Sequence, residues 1–373
     1  MKKTYVIVLS MFFTFAFMFS FCISATAISM DTSVESINVN QLAKEYLEIS
    51  CYTNKSGSEI KNIKKIDMLN NKLRKKYPTL SNVEVSKLIY RCIGESESVI
   101  ARLPEDKILE ALTFTDCIQT TNYIKLKPNG QQVYLSKYDV ANELITLDDL
   151  TVDGEYFARI NNTISSIYED KNTIVTDSKN GYLRLTTTAY AVGGEKADRS
   201  YYIVSAEALW LKEPFFKTQD VLAIASTATY DNSYDDCGYF YELSKEYRVS
   251  DGALISRHYV NNEIYKFSGS NNPDDISFEY STGVGGVALR FNMFESKYSG
   301  SEAHYFDYYI TAYLRFKCSL YNADGGIQAA YGHKYFGPNI SINFTSGSVD
   351  FSMSGFNMLD EYYGETLSIY DYV

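Results

Sequence analysis

The sequence predicts an α+β protein of segregated parts: a small helical N-terminal region, then an antiparallel β domain of the sandwich or barrel-like kind. Three observations carry the prediction. Apolar residues recur at three- and four-residue spacing before residue 180 and at two-residue spacing after Gly181. Charge is uneven, with a net of +2 over residues 28–127 and −15 over residues 128–373. Tyrosines number 34 against one tryptophan, which suits sheet faces where a ring packs while its hydroxyl stays wet.

The chain opens with the positive Met1-Lys2-Lys3, an uncharged apolar run from Tyr5 to Ile23, and the small-x-small site Ala25-Thr26-Ala27. That order is a secretory signal peptide over residues 1–27, with Ile28 as the expected mature N-terminus and an extracellular, at most loosely surface-attached, product. Phe21 ahead of Cys22 argues against lipid attachment. The rest of the sequence holds no apolar stretch of spanning length, so no transmembrane span is expected in the mature chain. Loss of two lysines with the signal takes the net charge from −11 to −13, which argues against a nucleic-acid partner.

Residues 28–180 read as mostly helical. Ile60, Ile63, Ile66, Leu69, Leu73 and Tyr77 form one stripe that Pro78 stops. Ser81 and Glu84 make a capping box ahead of Val85, Leu88, Ile89 and Cys92, and Pro104 opens a third helix carrying Ile108, Leu109 and Leu112. A further stripe, Phe157, Ile160, Ile164 and Ile167, precedes the polar Asp177-Ser178-Lys179-Asn180-Gly181, where the domain change is expected. Seven Lys/Arg between Lys61 and Lys76 suit a solvated helix face, or a surface for anionic lipid or wall polymer.

Residues 181–373 read as the β domain. Over 305–321 the set Phe306, Tyr308, Ile310, Ala312, Leu314, Phe316, Cys318 and Leu320 alternates with polar residues and tyrosines, giving one long strand with one apolar face. The turn Asn322-Ala323-Asp324-Gly325-Gly326 then returns Ile327, Ala329, Tyr331 and His333 to the same face, with Leu320 expected opposite Ile327. Leu183-Leu185-Thr187-Ala189, Tyr202-Val204-Ala206-Ala208-Trp210, Leu222-Ile224-Ser226-Ala228 and Val287-Leu289-Phe291-Met293 alternate in the same way. Ile340, Ile342 and Phe344 face Val349, Phe351 and Met353 across Thr345-Ser346-Gly347-Ser348 as a Ser/Thr-rich hairpin. A β pore-former inserts such a hairpin, but these arms are short of the ~9–11 residues that cross a bilayer, so a surface hairpin is expected.

Chemistry is sparse. Cys51, Cys92, Cys117, Cys237 and Cys318 leave an odd number after the signal, at spacings foreign to zinc sites. Cys237 with Cys318 is the candidate disulfide, against the alternative of buried free thiols. The histidines are His258, His304 and His333, none in a catalytic motif; His333, on an apolar face, is the site candidate weighed against a satisfied core histidine. Asp231, Ser233, Asp235 and Glu242 occupy positions 1, 3, 5 and 12 of a calcium-loop pattern, with Asp236 where the glycine belongs. No spacing singles out a carboxylate pair, no G-x-S-x-G elbow is present, and no cofactor motif is found.

Ala208-Leu209-Trp210-Leu211-Lys212-Glu213-Pro214 with Asp220, and Ala330-Tyr331-Gly332-His333, resemble patterns in uncharacterised secreted proteins of Gram-positive bacteria, from Thr186 onward. That resemblance implies export and a β-rich C-terminal half and brings no activity with it. The expected function is therefore a binding or interaction module acting outside the cell on a wall polymer or membrane surface. The alternatives are a secreted hydrolase of wall or peptide substrates and a membrane-active, bacteriocin-like toxin.

Overall fold

The computed structural model describes residues 37–126, 132–136, 139, 181–193, 199–212, 219–231, 233–234, 236–248, 254–264, 276–280, 285–293, 304–321, 324–334, 340–345, 347–352 and 359–370. The signal segment 1–27, the stripe Phe157 to Ile167, the junction residues 177–180, Asp235 and Met353 lie outside the described residues.

The helices come first: α1 (Val39–Tyr46), α2 (Ile66–Lys76), α3 (Asn82–Ile93), α4 (Glu97–Arg102) and α5 (Glu105–Leu109), then a 3-10 turn at Glu110–Thr113. Strands are interleaved with them: β1 (Glu48–Thr53) and β2 (Glu59–Lys64) precede α2, and β3 (Phe114–Leu126) and β4 (Gln132–Leu135) follow the turn. The β-rich remainder runs β5 (Gly181–Val192), β6 (Ser200–Lys212), β7 (Gln219–Ser226), β8 (Thr229–Tyr230), β9 (Cys237–Arg248), β10 (Leu254–Ile264), β11 (Ile276–Tyr280) and β12 (Gly285–Asn292). It continues with β13 (His304–Leu320), β14 (Gly325–Lys334), β15 (Ser341–Thr345), β16 (Ser348–Ser352), β17 (Leu359–Tyr363) and β18 (Leu367–Ile369).

Two antiparallel sheets stack face to face. Sheet A runs β1-β2-β3-β5-β6-β13-β9-β10, and sheet B runs β11-β12-β7-β14-β17 with β18 also on β14. The core between them holds Leu183, Leu185, Val204, Ala206, Trp210, Leu222, Ile224, Val287, Leu289, Leu314, Phe316, Ile327 and Tyr331, the inward residues that two-residue alternation picks out. A second core lies between the helices and the other face of sheet A, built from Leu69, Leu73, Leu88, Ile89, Phe114, Tyr190, Ile203 and Tyr313. The central strands β5, β6 and β13 of sheet A are therefore buried on both faces, so they carry apolar residues at odd and even positions alike.

The hairpin β15–β16 covers the outer face of sheet B, with Ile342 opposite Phe351 and Phe344 opposite Val349. Its apolar side rests on a floor of small residues, Val221, Ala223, Ala225, Ala288 and Ala330. Gly286 completes that floor: a Cβ there would fall 2.2 Å from the Phe344 ring. Burial of Ile340, Val349 and Phe351 contributes about 1.5–3 kcal/mol each to holding the hairpin down.

The first region departs from a mostly helical reading, since four strands lie among its helices. Ile60 and Ile63 lie in β2, not in the helix that begins at Ile66; Lys65, at φ 69, makes the break. Pairing of β2 with β1 and β3 wins over a three-residue spacing that a strand of β-branched residues accommodates equally well. The Ser81 capping box is present, with Glu84 N–H donating to Ser81 Oγ at 3.2 Å and Ser81 N–H to Glu84 Oε2 at 2.7 Å. Strand β3 lies between β2 and β5, so the chain before and after residue 180 shares one sheet.

The return from β13 is also different. Strands β13 and β14 do not pair: β13 lies between β6 and β9 in sheet A, and β14 beside β7 in sheet B. Alternation fixes which side of a strand is buried, and both strands meet the same core from opposite sheets.

Cys237 and Cys318 form no disulfide. Cys237 stands opposite Arg315 on the helix-facing side of sheet A, whereas Cys318 points into the core between the sheets. Both are free thiols, as are Cys92 and Cys117, and burial pushes Cys92, Cys237 and Cys318 up to about 12. Because the thiolate is the reacting form, a maleimide under native conditions is expected to label exposed Cys51 and to reach these four only after unfolding. Mass spectrometry of labelled peptides checks this; rapid native labelling at Cys237 or Cys318 would contradict the packing.

Candidate functional site

The helix-facing side of sheet A is not covered evenly. Where α3 ends, a cleft of about 350 Å³ opens between the helical layer and strands β3, β5 and β6. Gly94 makes the opening possible: at φ +91 it takes the left-handed turn that ends α3, and Glu95 N–H closes it on Tyr90 O at 2.9 Å. The chain then enters α4 through Ser96, whose Oγ accepts the Val99 N–H at 3.2 Å. This turn places Glu95, Ser96 and Glu97 at the rim.

Sheet A supplies the floor. Gln119 and Thr121 come from β3, Arg184 and Thr186 from β5, and Glu207 from β6. Glu207 is only 5% exposed, and its carboxylate is engaged on both oxygens. Arg184 Nη2 donates to Oε2 at 2.9 Å, while Ser96 Oγ and Ser98 Oγ donate to Oε1 at 3.0 and 3.4 Å. A forked ion pair, Arg91 to Glu97 at 2.6 and 3.0 Å, closes the rim.

Glu95 sits in a different environment. Its Oε2 accepts a hydrogen bond from the Tyr190 hydroxyl. Burial raises its carboxyl above the ordinary range, and nearby Glu207 adds to the effect, partly offset by Tyr190 and Arg315. Tyr190 is itself fixed from behind, stacked on Phe114 with centroids 4.5 Å apart. The cleft thus holds two carboxyl groups of unlike surroundings, one ion-paired and one biased toward its protonated form.

The residues singled out from sequence lie elsewhere. His333 is fully buried between the sheets, with Nδ1 2.8 Å from Asp220 Oδ1. The Tyr331 hydroxyl donates to the other Asp220 oxygen, and Trp210 Nε1 donates to Tyr331 Oη at 2.9 Å. Trp210, Asp220, Tyr331 and His333, taken from two separate sequence patterns, therefore meet in one cluster that ties β6 of sheet A to β7 and β14 of sheet B. His258 and His304 take backbone positions in β10 and β13.

The calcium-loop pattern divides between two settings. Asp231 accepts from the backbone and hydroxyl of Ser233 in a tight turn, while Glu242 is buried within β9. Among the described residues no group of three or more His, Cys, Asp or Glu is arranged to hold a metal ion. Sequence reading missed Glu95, Arg184 and Glu207. One signal was available: Glu207 is a lone charge in the apolar run Ala206-Glu207-Ala208-Leu209-Trp210-Leu211, and a central strand keeps such a charge only where a partner meets it.

No protein-family model matches the sequence, and no curated protein matches it. Among solved structures, the chain is similar to Clostridium perfringens delta-toxin at 8% identity and a TM-score of 0.21, over 52% of this chain and 90% of that one. It is similar to the Clostridium perfringens NetB toxin in the membrane inserted form at 8% identity and a TM-score of 0.17, over the same shares. Likenesses this low bear no weight on function.

Proposed function

We propose that the protein is a binding module that works outside the cell and holds a polar, hydroxyl-rich ligand, of the kind a wall polysaccharide presents. The cleft between α3–α4 and sheet A carries this reading. It sets the donors Arg91, Arg184 and Gln119 and the acceptors Glu95 and Glu207 around one concavity, with Thr121 and Thr186 able to do either. Such a lining matches the paired donors and acceptors of sugar hydroxyls, and the ring of Tyr123 adds an aromatic surface. The apolar, small-residue-bounded N-terminal segment supports an extracellular setting.

The membrane-active reading has less support. The arms of β15–β16 are five residues each, about 17 Å at strand rise, against the ~30 Å of a bilayer core. Strand β13, long enough to cross, is paired on both sides, and its described side chains are buried except the half-buried Lys317.

Calorimetric titration with purified wall polysaccharides and their oligosaccharides tests the proposal. One sugar class is expected to bind, and Arg184→Ala or Glu207→Gln to weaken it at least tenfold, about 1.4 kcal/mol. Asp350→Asn on the exposed hairpin serves as the control. Binding indifferent to both cleft substitutions, or dye release from anionic liposomes without any polysaccharide binding, would overturn it.

A further inference from the structure

The cleft contains more than a hydrogen-bonding surface requires. Glu95 and Glu207 approach it from different elements, the turn after α3 and strand β6, and both line the same concavity. Their surroundings are opposite in kind. Glu207 is ion-paired to Arg184 and held by two serine hydroxyls, whereas Glu95 has no ion-pair partner among the described residues and is held by the phenol of Tyr190. A site that only bound hydroxyls would have no need of an enclosed carboxyl without an ion-pair partner, since burying such a group is costly.

We propose that this cleft hydrolyses a glycosidic bond, with Glu95 as the proton donor and Glu207 as the carboxylate that activates water. The inference rests on the reading of the cleft as a polysaccharide site. Glu95 gives its carboxyl proton to the bridging oxygen as the bond from that oxygen to the anomeric carbon breaks, and the oxygen leaves as an alcohol. A water oxygen bonds to the anomeric carbon, which carries the developing positive charge. Its surplus proton passes to Glu207 and returns through solvent to Glu95. One water is consumed and nothing is oxidised or reduced.

The groups that face Glu95 set the pH range. They are Tyr90 from α3, Cys117 from β3, Tyr190 from β5, Glu207 from β6, and Tyr313 and Arg315 from β13. The balance raises Glu95, so its proton persists to higher pH than on an exposed glutamate. Activity is therefore present below the Glu95 pKa and lost as pH rises through it. Glu95 thus governs the alkaline limb of the rate profile.

The test uses the full chain, the polysaccharide fragment that binds it, and the dinitrophenyl glycoside of the same sugar. The wild type is expected to release reducing sugar from the fragment and dinitrophenolate from the glycoside. Glu95→Gln is expected to lose about 10²- to 10⁴-fold on the fragment, whose leaving alcohol needs a proton. It should keep most of its rate on the dinitrophenyl glycoside, whose leaving group needs none, and lose the alkaline limb. An unchanged circular dichroism spectrum of Glu95→Gln, together with its retained rate on the dinitrophenyl glycoside, shows that the fold around the cleft is intact. Binding without cleavage by the wild type would overturn this inference and leave the binding reading standing; equal loss on both substrates would make Glu95 structural. Neither binding nor cleavage would remove both.

Discussion

Arg315→Met is expected to lower the free energy of unfolding by about 3 kcal/mol, the lower end of the range for breaking a buried ion pair. Arg315 is wholly buried on the helix-facing side of β13. Its Nη2 donates to Glu110 Oε2 at 2.5 Å, Nε to the Tyr234 hydroxyl at 3.1 Å, and Nη1 to the Tyr313 hydroxyl at 3.3 Å. The guanidinium also lies 5.5–5.9 Å from the ring centroids of Tyr90, Phe114 and Tyr190. One side chain thus fastens the 3-10 turn, α3 and β3 to the centre of sheet A.

Methionine fills much of the volume but leaves the Glu110 carboxylate without its strongest partner. Lys107 stays 3.2 Å from the other Glu110 oxygen, and the carboxylate keeps some solvent contact, which is why the expected loss is not larger. Urea unfolding measures it as a lowered midpoint at unchanged slope. Pairing the change with Glu110→Leu should recover part of the loss, because no uncompensated charge then remains. A loss below about 1 kcal/mol for Arg315→Met would mean that this pair does not hold the layers together.

Asp220→Ala is expected to cost a similar amount, about 3–4 kcal/mol. The change removes the acceptor for two buried donors, the Tyr331 hydroxyl and His333 Nδ1, and each such loss costs about 1–3 kcal/mol. Asp220→Asn keeps an acceptor oxygen and should cost less than half as much. The protein carries its own reporter, because the single tryptophan, Trp210, donates to Tyr331 and packs edge-on against Tyr331, His333 and Tyr362. A red shift of its emission in folded Asp220→Ala would show the cluster loosening between the sheets. Unchanged emission with unchanged stability would mean that the cluster is packing without energetic consequence.

These two clusters bear on the cleft in different ways. Arg315 lies behind it, next to Tyr190 and Glu95, so substitutions there are expected to disturb the site as well as the fold. Asp220 lies on the other side of sheet A, and its substitution changes stability with little effect on the cleft. Comparing polysaccharide binding by folded Arg315→Met and Asp220→Ala separates a damaged site from a damaged scaffold.

Local chemistry was legible in the sequence. The Ser81–Glu84 capping box, the inward residues of β5, β6, β7, β12 and β14, and the 340–352 hairpin all follow from spacing within a few residues, because caps, turns and one-sided burial act at that range. What the sequence could not supply was the identity of neighbours. Strand β13 has the same alternation whether it pairs with β14 or with β6 and β9, and Cys318 reads the same whether Cys237 shares its face or lies across the sheet.

Sequence alone thus determined which residues turn inward after Gly181, but not that strands β1 to β4 precede it. Tertiary structure alone decided that β3 joins the C-terminal strands in one sheet, that Trp210, Asp220, Tyr331 and His333 meet, and that Glu95, Arg184 and Glu207 line one cleft. The physical reason is range: burial and capping are settled by a residue's near neighbours, whereas a site depends on contacts between segments as far apart as residues 95 and 207, which only the packed layers bring together.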